Sequence, residues 1–298
     1  MVAKTADTIK VSKSLALGKK LWKKYSPGGK LWELWDVALL LQEKDAQPYF
    51  IYSSNGFLPL SYEPHEKRYT FFGSTFVENF SFWFPLEEFP LFLEKIPQGT
   101  MLYDLNGDTV EKVLMMYPEA KKYFPEQDFR YVLLTTDFHQ HLQGFSKKHR
   151  KNLLYDLKKM LDLKYQISFS PLDHLEKLFD FNVERFGTES DYHDPVFRER
   201  VSNLAKYLHQ KKMLVTLNIE IDGMVEGVIF SAVYKNVCYV MNSGYNLAHK
   251  NLGKVLVAEM IKKALSLGVK EIDFLVGDTG WKQLWNLEKK TCYTFKKV

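Results

Sequence analysis

Cysteine, one-signed charge and long apolar runs are all scarce in this chain, and each scarcity removes a class of protein. Only Cys238 and Cys292 occur in 298 residues. Their number and spacing argue against a disulfide framework or a thiolate metal site and suit a reducing compartment. No stretch is apolar over the ~18 residues that a membrane span requires. Residues 1–17 lack the unbroken apolar core of a secretory leader, so a soluble, cytoplasmic protein is expected. The 41 basic and 36 acidic residues leave a net charge of +5. That is too small to argue for DNA or RNA, though it favours anionic partners such as phosphorylated cofactors. Walker loops, dinucleotide glycine fingerprints and nucleophile-triad signatures are also missing. What remains is rich in material for cores, with 46% hydrophobic and 15% aromatic residues. The length allows one large domain or two of ordinary size.

The first half reads as mixed and sheet-rich. Residues 30–43 place Leu31, Leu34, Trp35, Ala38 and Leu39 along one helical face, after the punctuation of Pro27, Gly28 and Gly29. Strands are expected at 48–52 and 58–62, joined by Ser54, Asn55 and Gly56, and again at 68–72. The run 76–90 is aromatic and punctuated by proline, and it takes no assignment. A helix follows at 109–116 and a strand at 130–135.

The second half is sharper. A helix over 145–163 carries Leu153, Leu157, Met160 and Leu161 at core spacing. A strand at 165–170 and helices at 172–186 and 195–210 come next. Strands at 213–221, 225–234 and 237–243 form a meander whose turns are Asp222-Gly223 and Lys235-Asn236. A loop, a helix over 252–267, the stop residue Gly268 and a buried strand at 271–276 close the pattern. The two halves echo each other, each with a glycine-containing turn and a short antiparallel meander. A boundary near Thr136 gives domains 1–135 and 136–298.

Three constellations can carry chemistry. The stretch from Met241 to Leu256 runs from a strand end through a loop into a helix, which exposes unpaired backbone N–H groups suited to a pyrophosphate. His249, Lys250 and Lys254 add charge there, although solvated lysines on an ordinary crossover would look the same. The stretch 272–282 holds Asp273 in an apolar strand, where a carboxylate is costly unless paired. Gly277, Asp278 and Gly280 then present Trp281 and Lys282, and a lysine there can stabilise developing negative charge. The third stretch is Ser146-Lys147-Lys148-His149-Arg150-Lys151. Ser146 is a sound N-cap, yet the first turn is basic, opposite to what the helix dipole prefers. A bound anion would relieve that conflict, and a solvated charged face would equally produce the run. The polar loop 187–195 offers Glu189, Asp191, His193 and Asp194 to an amine. His139 and His141 lack the further ligands of a metal site.

Taken together these residues resemble the BioF2-like acetyltransferase family, a branch of the GNAT superfamily related to the FemAB peptidyltransferases. The resemblance runs from about Trp22 and is strongest from Ser146 onward. Ser146, Lys147, Lys148, Arg150 and Asn152 match a basic helix opening. Leu252-Gly253 keeps the glycine of a Pro-Gly pair. Asp273, Phe274, Gly277, Asp278 and Lys282 match a late signature in which Trp281 replaces a tyrosine and Leu275-Val276 a Gly-Arg pair. The resemblance implies an α/β mixed-sheet fold of two tandem GNAT-like domains, the first on the acceptor side and the second binding acetyl-CoA or another acyl-CoA. An amine, such as an amino sugar or cell-envelope precursor, would attack the thioester directly. Lys282 would act as electrostatic stabiliser, with Asp273 and Asp278 shaping the site. Gly244, Tyr245, Asn251, Leu252, Gly253 and Lys254 would hold the cofactor, and Lys148, Arg150, His193 and Trp281 the substrate. Two further readings stay open: a FemAB-type transferase using aminoacyl-tRNA, and a silent binding module on the same fold.

Overall fold

Two antiparallel meanders, each leading through a helical crossover into a parallel strand, organise the chain. The computed structural model describes residues 8–73, 78–169, 172–277 and 280–298. Asp278, residues 1–7 of the stretch read for a leader, residues 76–77 of the aromatic run and Ser170 of the strand expected at 165–170 lie outside the described residues. In order, the elements of the first half are β1 (Lys10–Ser12), α1 (Leu15–Tyr25), α2 (Trp35–Leu41), β2 (Gln47–Tyr52), β3 (Phe57–Glu63), β4 (Arg68–Phe71), α3 (Phe89–Lys95), β5 (Thr100–Asn106) and α4 (Gly107–Met116). They continue with β6 (Glu126–Leu133), α5 (Phe138–Gln143), α6 (Lys147–Leu161), β7 (Gln166–Ser168), α7 (Leu175–Phe186) and α8 (Pro195–Gln210). The last are β8 (Leu214–Ile221), β9 (Met224–Tyr234), β10 (Val237–Tyr245), α9 (Leu252–Ser266), β11 (Glu271–Val276) and β12 (Glu288–Lys297).

The chain divides into a first unit, Met1–Arg130 with Lys289–Val298, and a second, Tyr131–Glu288. Compared with the division expected at 135/136, the last ten residues group with the first unit, where β12 pairs antiparallel to β5. That strand escaped the sequence reading for a physical reason. A register shift between Tyr293 and Phe295 places Cys292 and Phe295 in the core three residues apart, which breaks the two-residue alternation of a strand.

In the first unit β1, β2, β3 and β4 pair antiparallel in sequence, and β4 meets β5 in parallel at Tyr69 and Thr100. In the second unit β7, β8, β9 and β10 repeat that scheme, and β10 meets β11 in parallel. The shared connectivity is the duplication suggested by the two meanders. The helix expected at 30–43 is shorter and broken. Glu33 accepts the Gly29 and Lys30 N–H groups at 2.6 and 2.9 Å, closing a 3₁₀ turn over Leu31–Glu33, and Leu34 is extended before α2 begins. Helix α1 passed unread, although Ser14 caps it by accepting the Leu17 N–H. Among the described residues no helix is long and apolar enough to cross a membrane.

In the second unit α7 is sealed onto β10 where Gly244 allows close approach. A Cβ there would lie 2.7 Å from the Leu178 carbonyl oxygen and 2.9 Å from the Phe181 Cβ. Asn182 completes the seal, donating to the Leu178 and Ser243 carbonyls at 3.0 and 3.2 Å. Helix α9 packs into an aliphatic core with Leu252, Val255, Leu256, Ala258, Met260 and Ile261 buried. The end of β10, the start of α9 and the end of β11 are thereby held at one end of the unit.

Candidate functional site

The opening at that end begins with how β10 and β11 part. Their parallel register covers Val237–Tyr239 against Glu271–Asp273, and β10 then runs on to Tyr245 while β11 runs on to Val276. An irregularity in β10 between Val240 and Asn242 accompanies the divergence. A cavity of about 450 Å³ lies beyond it, lined by residues of α6, β10, α9 and the segment 281–285, together with Arg185 at the end of α7. That volume lies in the usual range of small-molecule sites.

Helix α6 contributes His149, Asn152 and Asp156, spaced three and then four residues apart so that they form one stripe. His149 donates from Nε2 to the Leu284 carbonyl at 2.8 Å, which leaves Nδ1 as the acceptor of the neutral ring. Asp156 pairs with Lys254, whose ammonium also donates to Asn251 Oδ1 at 3.2 Å. The α9 start is unusual. Asn251 occupies its N-cap in the left-handed region (φ 71°), and its side chain makes no cap bond to the first turn. Gly253 lies against Tyr245, and a Cβ added to it would stand 2.8–2.9 Å from the end of that ring. Arg185 donates to the Tyr245 hydroxyl at 3.4 Å and lies over its ring at 5.7 Å. Trp281 and Trp285 supply apolar walls.

The cavity therefore gathers Tyr245, Asn251, Gly253, Lys254 and Trp281 from the residues expected to bind ligands. Gly244 instead serves the contact with α7, and Leu252 is fully buried in the core. Lys148 is exposed, Arg150 turns its guanidinium toward the Gln143 carbonyl at 3.5 Å, and His193 is exposed in the 3₁₀ turn Asp191–His193. Asp273 and Lys282 are buried at the end of β11, where Asp273 accepts the Leu275 N–H and Lys282 donates to backbone carbonyls. His149 falls within the basic stretch 146–151 read from the sequence, whereas Asp156, Arg185, Ser243, Leu284 and Trp285 were missed. The polar stripe at 149, 152 and 156, running beside Leu153 and Met160 on the same side of α6, was the available signal. Arg185 gave none. Both thiols are buried, and burial pushes Cys238 and Cys292 up to about 12, so neither is a nucleophile near neutral pH. His141 is buried beside Phe145, and burial lowers its pKa against a backbone bond to Trp285.

Residues 147–283, which contain the lining of this cavity except Leu284 and Trp285, match the family model of the acetyltransferase (GNAT) domain. The chain carries a GNAT-type acetyltransferase domain. That domain supports a transferase of the GNAT type, and solved structures agree on the fold. FemX superposes with a TM-score of 0.63 at 11% identity, covering 95% of this chain and 96% of FemX. L-PGS from Bacillus licheniformis gives 0.56 at 13% identity, with 96% and 92% covered. A tandem GNAT protein from the clavulanic acid biosynthesis pathway gives 0.52 at 8% identity, with 98% and 99% covered. At these identities the likeness is one of fold, and that fold is the tandem GNAT arrangement. No curated protein sequence matches the chain.

Proposed function

We propose that the protein is an N-acyltransferase that moves an acyl group, acetyl in the first instance, from acyl-CoA to an amine. One observation carries the reading. The cavity of the GNAT domain joins a helix start with an unused side-chain cap to two cations, Lys254 and Arg185, beside the parted ends of β10 and β11. The Leu252, Lys254 and Val255 N–H groups already donate to the His249 and Asn251 carbonyls, so the helix-start dipole and the two cations are what suit a pyrophosphate. Tyr245, Trp281 and Trp285 suit the less polar arm that links it to the thioester. The fit includes a restraint. Asp156 holds Lys254 in the free protein, so an incoming phosphate must draw the ammonium from a carboxylate.

In this reading the amine nitrogen attacks the thioester carbonyl, a C–N bond forms and the C–S bond breaks. The proton lost by nitrogen passes to a base, and the departing sulfur leaves as thiolate or thiol. His149 is placed for the base, because its Nε2–H is fixed on Leu284 and its Nδ1 is left to accept. The acceptor is proposed to be an amino sugar or another polar cell-envelope precursor, acted on in the cytoplasm.

Titration of the protein with acetyl-CoA by calorimetry tests the reading. Saturable binding is expected, with free thiol released once the acceptor is supplied. Binding of neither acetyl-CoA, longer acyl-CoAs nor CoA would sink it. Salt-sensitive binding of aminoacyl-tRNA would then favour the RNA-dependent alternative, and CoA binding without turnover on any amine would favour a silent module.

A further inference from the structure

The end of β11 satisfies its backbone groups in an unusual way. Along an extended strand successive carbonyls point to opposite edges, so three consecutive ones reach a single cation only where the strand is broken. Leu275 makes the break, with a φ of 62° that leucine rarely adopts, and Gly277 follows at 77°. The Leu275 N–H donates to Asp273 Oδ1 at 2.9 Å. Lys282 Nζ donates to the carbonyls of Phe274, Leu275 and Val276 at 2.6, 2.9 and 3.0 Å. These three bonds match the three N–H donors of an ammonium. The Tyr131 ring stands 5.3 Å from the same nitrogen, and Lys282 is only 5% exposed. The break begins just past Asp273, the last residue of β11 in register with β10.

We infer that Lys282 is a positioning residue: its ammonium gathers the last three carbonyls of β11 and so keeps the slot between β10 and β11 open for a donor thioester. The inference rests on the acyl-CoA reading and changes the part expected of Lys282. A lysine that met only the charge developing during reaction would lower kcat and leave donor affinity intact. A lysine that holds the slot open is needed for the donor to enter, so affinity falls as well.

Two measurements on the full chain separate these cases. Amide exchange across residues 271–277, which needs no ligand, is compared between the wild type, Lys282→Met and Lys282→Arg. The methionine variant should exchange about tenfold faster there while α9 keeps its protection, with the arginine variant in between. Unchanged exchange in Lys282→Met would overturn the clamp. The second measurement is the Kd for acetyl-CoA, expected to rise about tenfold in Lys282→Met and less in Lys282→Arg. An unchanged Kd with a lowered kcat would overturn the inference in favour of a direct catalytic part. Should Lys282→Met fail to fold, Lys282→Arg carries the test, and unchanged exchange and Kd in that variant overturn it. Failure of the wild type to bind any acyl-CoA removes the functional reading, while the exchange measurement still decides the clamp.

Discussion

The two units share a strand scheme and differ in what fills them. In the first unit Trp22 meets Trp35, Phe57, Phe72 and Trp83 edge-on, with ring centroids 4.6–6.4 Å apart. Phe84 and Phe92 stack at 3.9 Å beside them. Aromatic rings bring large buried areas and directional packing, so a meander filled this way has tightly specified neighbours. The second unit is filled chiefly by leucine, isoleucine, valine and alanine from α9, β8 and β9. Phe179, Phe230 and Phe274 are buried there as well, but Tyr245, Trp281 and Trp285 also line the cavity. One topology is thus used with rings as the main filling in one copy, while in the other three rings also serve as cavity walls.

The sharpest way to break that contrast is to empty the first unit. Trp22→Ala removes the hub of the aromatic cluster and the donor that Nε1 supplies to the Glu33 carbonyl at 2.7 Å. A loss of about 3–5 kcal/mol is expected from the cavity and the lost hydrogen bond, with Ser26 Oγ still donating to the Glu33 carbonyl at 2.9 Å. Chemical unfolding of the full chain measures it, and folded variant should still bind acetyl-CoA within twofold of the wild type. A loss below about 1 kcal/mol would mean that the cluster repacks and is not the specified core described above.

The same contrast explains what could be read from the sequence. Aliphatic elements with regular periods, such as α9 and β8 to β10, are legible because each buried position repeats at 3.6 or 2 residues. The aromatic unit is less so. Residues 30–43 carry the apolar spacing of one helix, but the Glu33 carboxylate captures two N–H groups ahead of it and breaks the run. In β12 a bulge hides the alternation. At the site, Tyr245, Asn251, Gly253, Lys254 and Trp281 were legible because they adjoin a strand end or a helix start. Arg185 reaches the cavity only through the fold, and no local pattern marks it. Lys282 was found for its position, yet its orientation toward three carbonyls depends on the left-handed turn at Leu275, which an ordinary-looking Phe-Leu-Val sequence conceals.

A second, smaller effect belongs to the first unit and to acid. Burial raises Asp104 to about 6, with the Asp128 charge acting the same way and a hydrogen bond from Cys292 opposing. Its carboxyl also sits at a left-handed φ of 54°, which asparagine accepts well. A folded pKa above the unfolded one means that the proton binds the folded state more tightly. Stability from this group is therefore full below about pH 4 and is lost as pH rises through about 6. Asp104→Asn should stabilise the chain by roughly 2 kcal/mol at pH 7 and by much less at pH 4. Thermal melts at the two pH values check this, and a pH-independent gain would assign the effect to the backbone alone.

The smallest expected change tests the wall of the second unit. Gly253→Ala adds a Cβ that meets only the far end of the Tyr245 side chain, at 2.8–2.9 Å. That ring can swing aside, so the melting temperature should barely move. The swing, however, takes the hydroxyl from Arg185 and pushes the ring across the mouth of the cavity. Acetyl-CoA should bind about tenfold more weakly, equivalent to about 1.4 kcal/mol. Removing the ring as well, in Gly253→Ala with Tyr245→Leu, should recover part of the loss, since the added methyl then has room. Titration of the two variants decides the matter. Equal weakening in both would mean that the helix start itself, and not the aromatic wall, sets the affinity, and the contrast drawn between rings as filling and rings as walls would fail at its most exposed point.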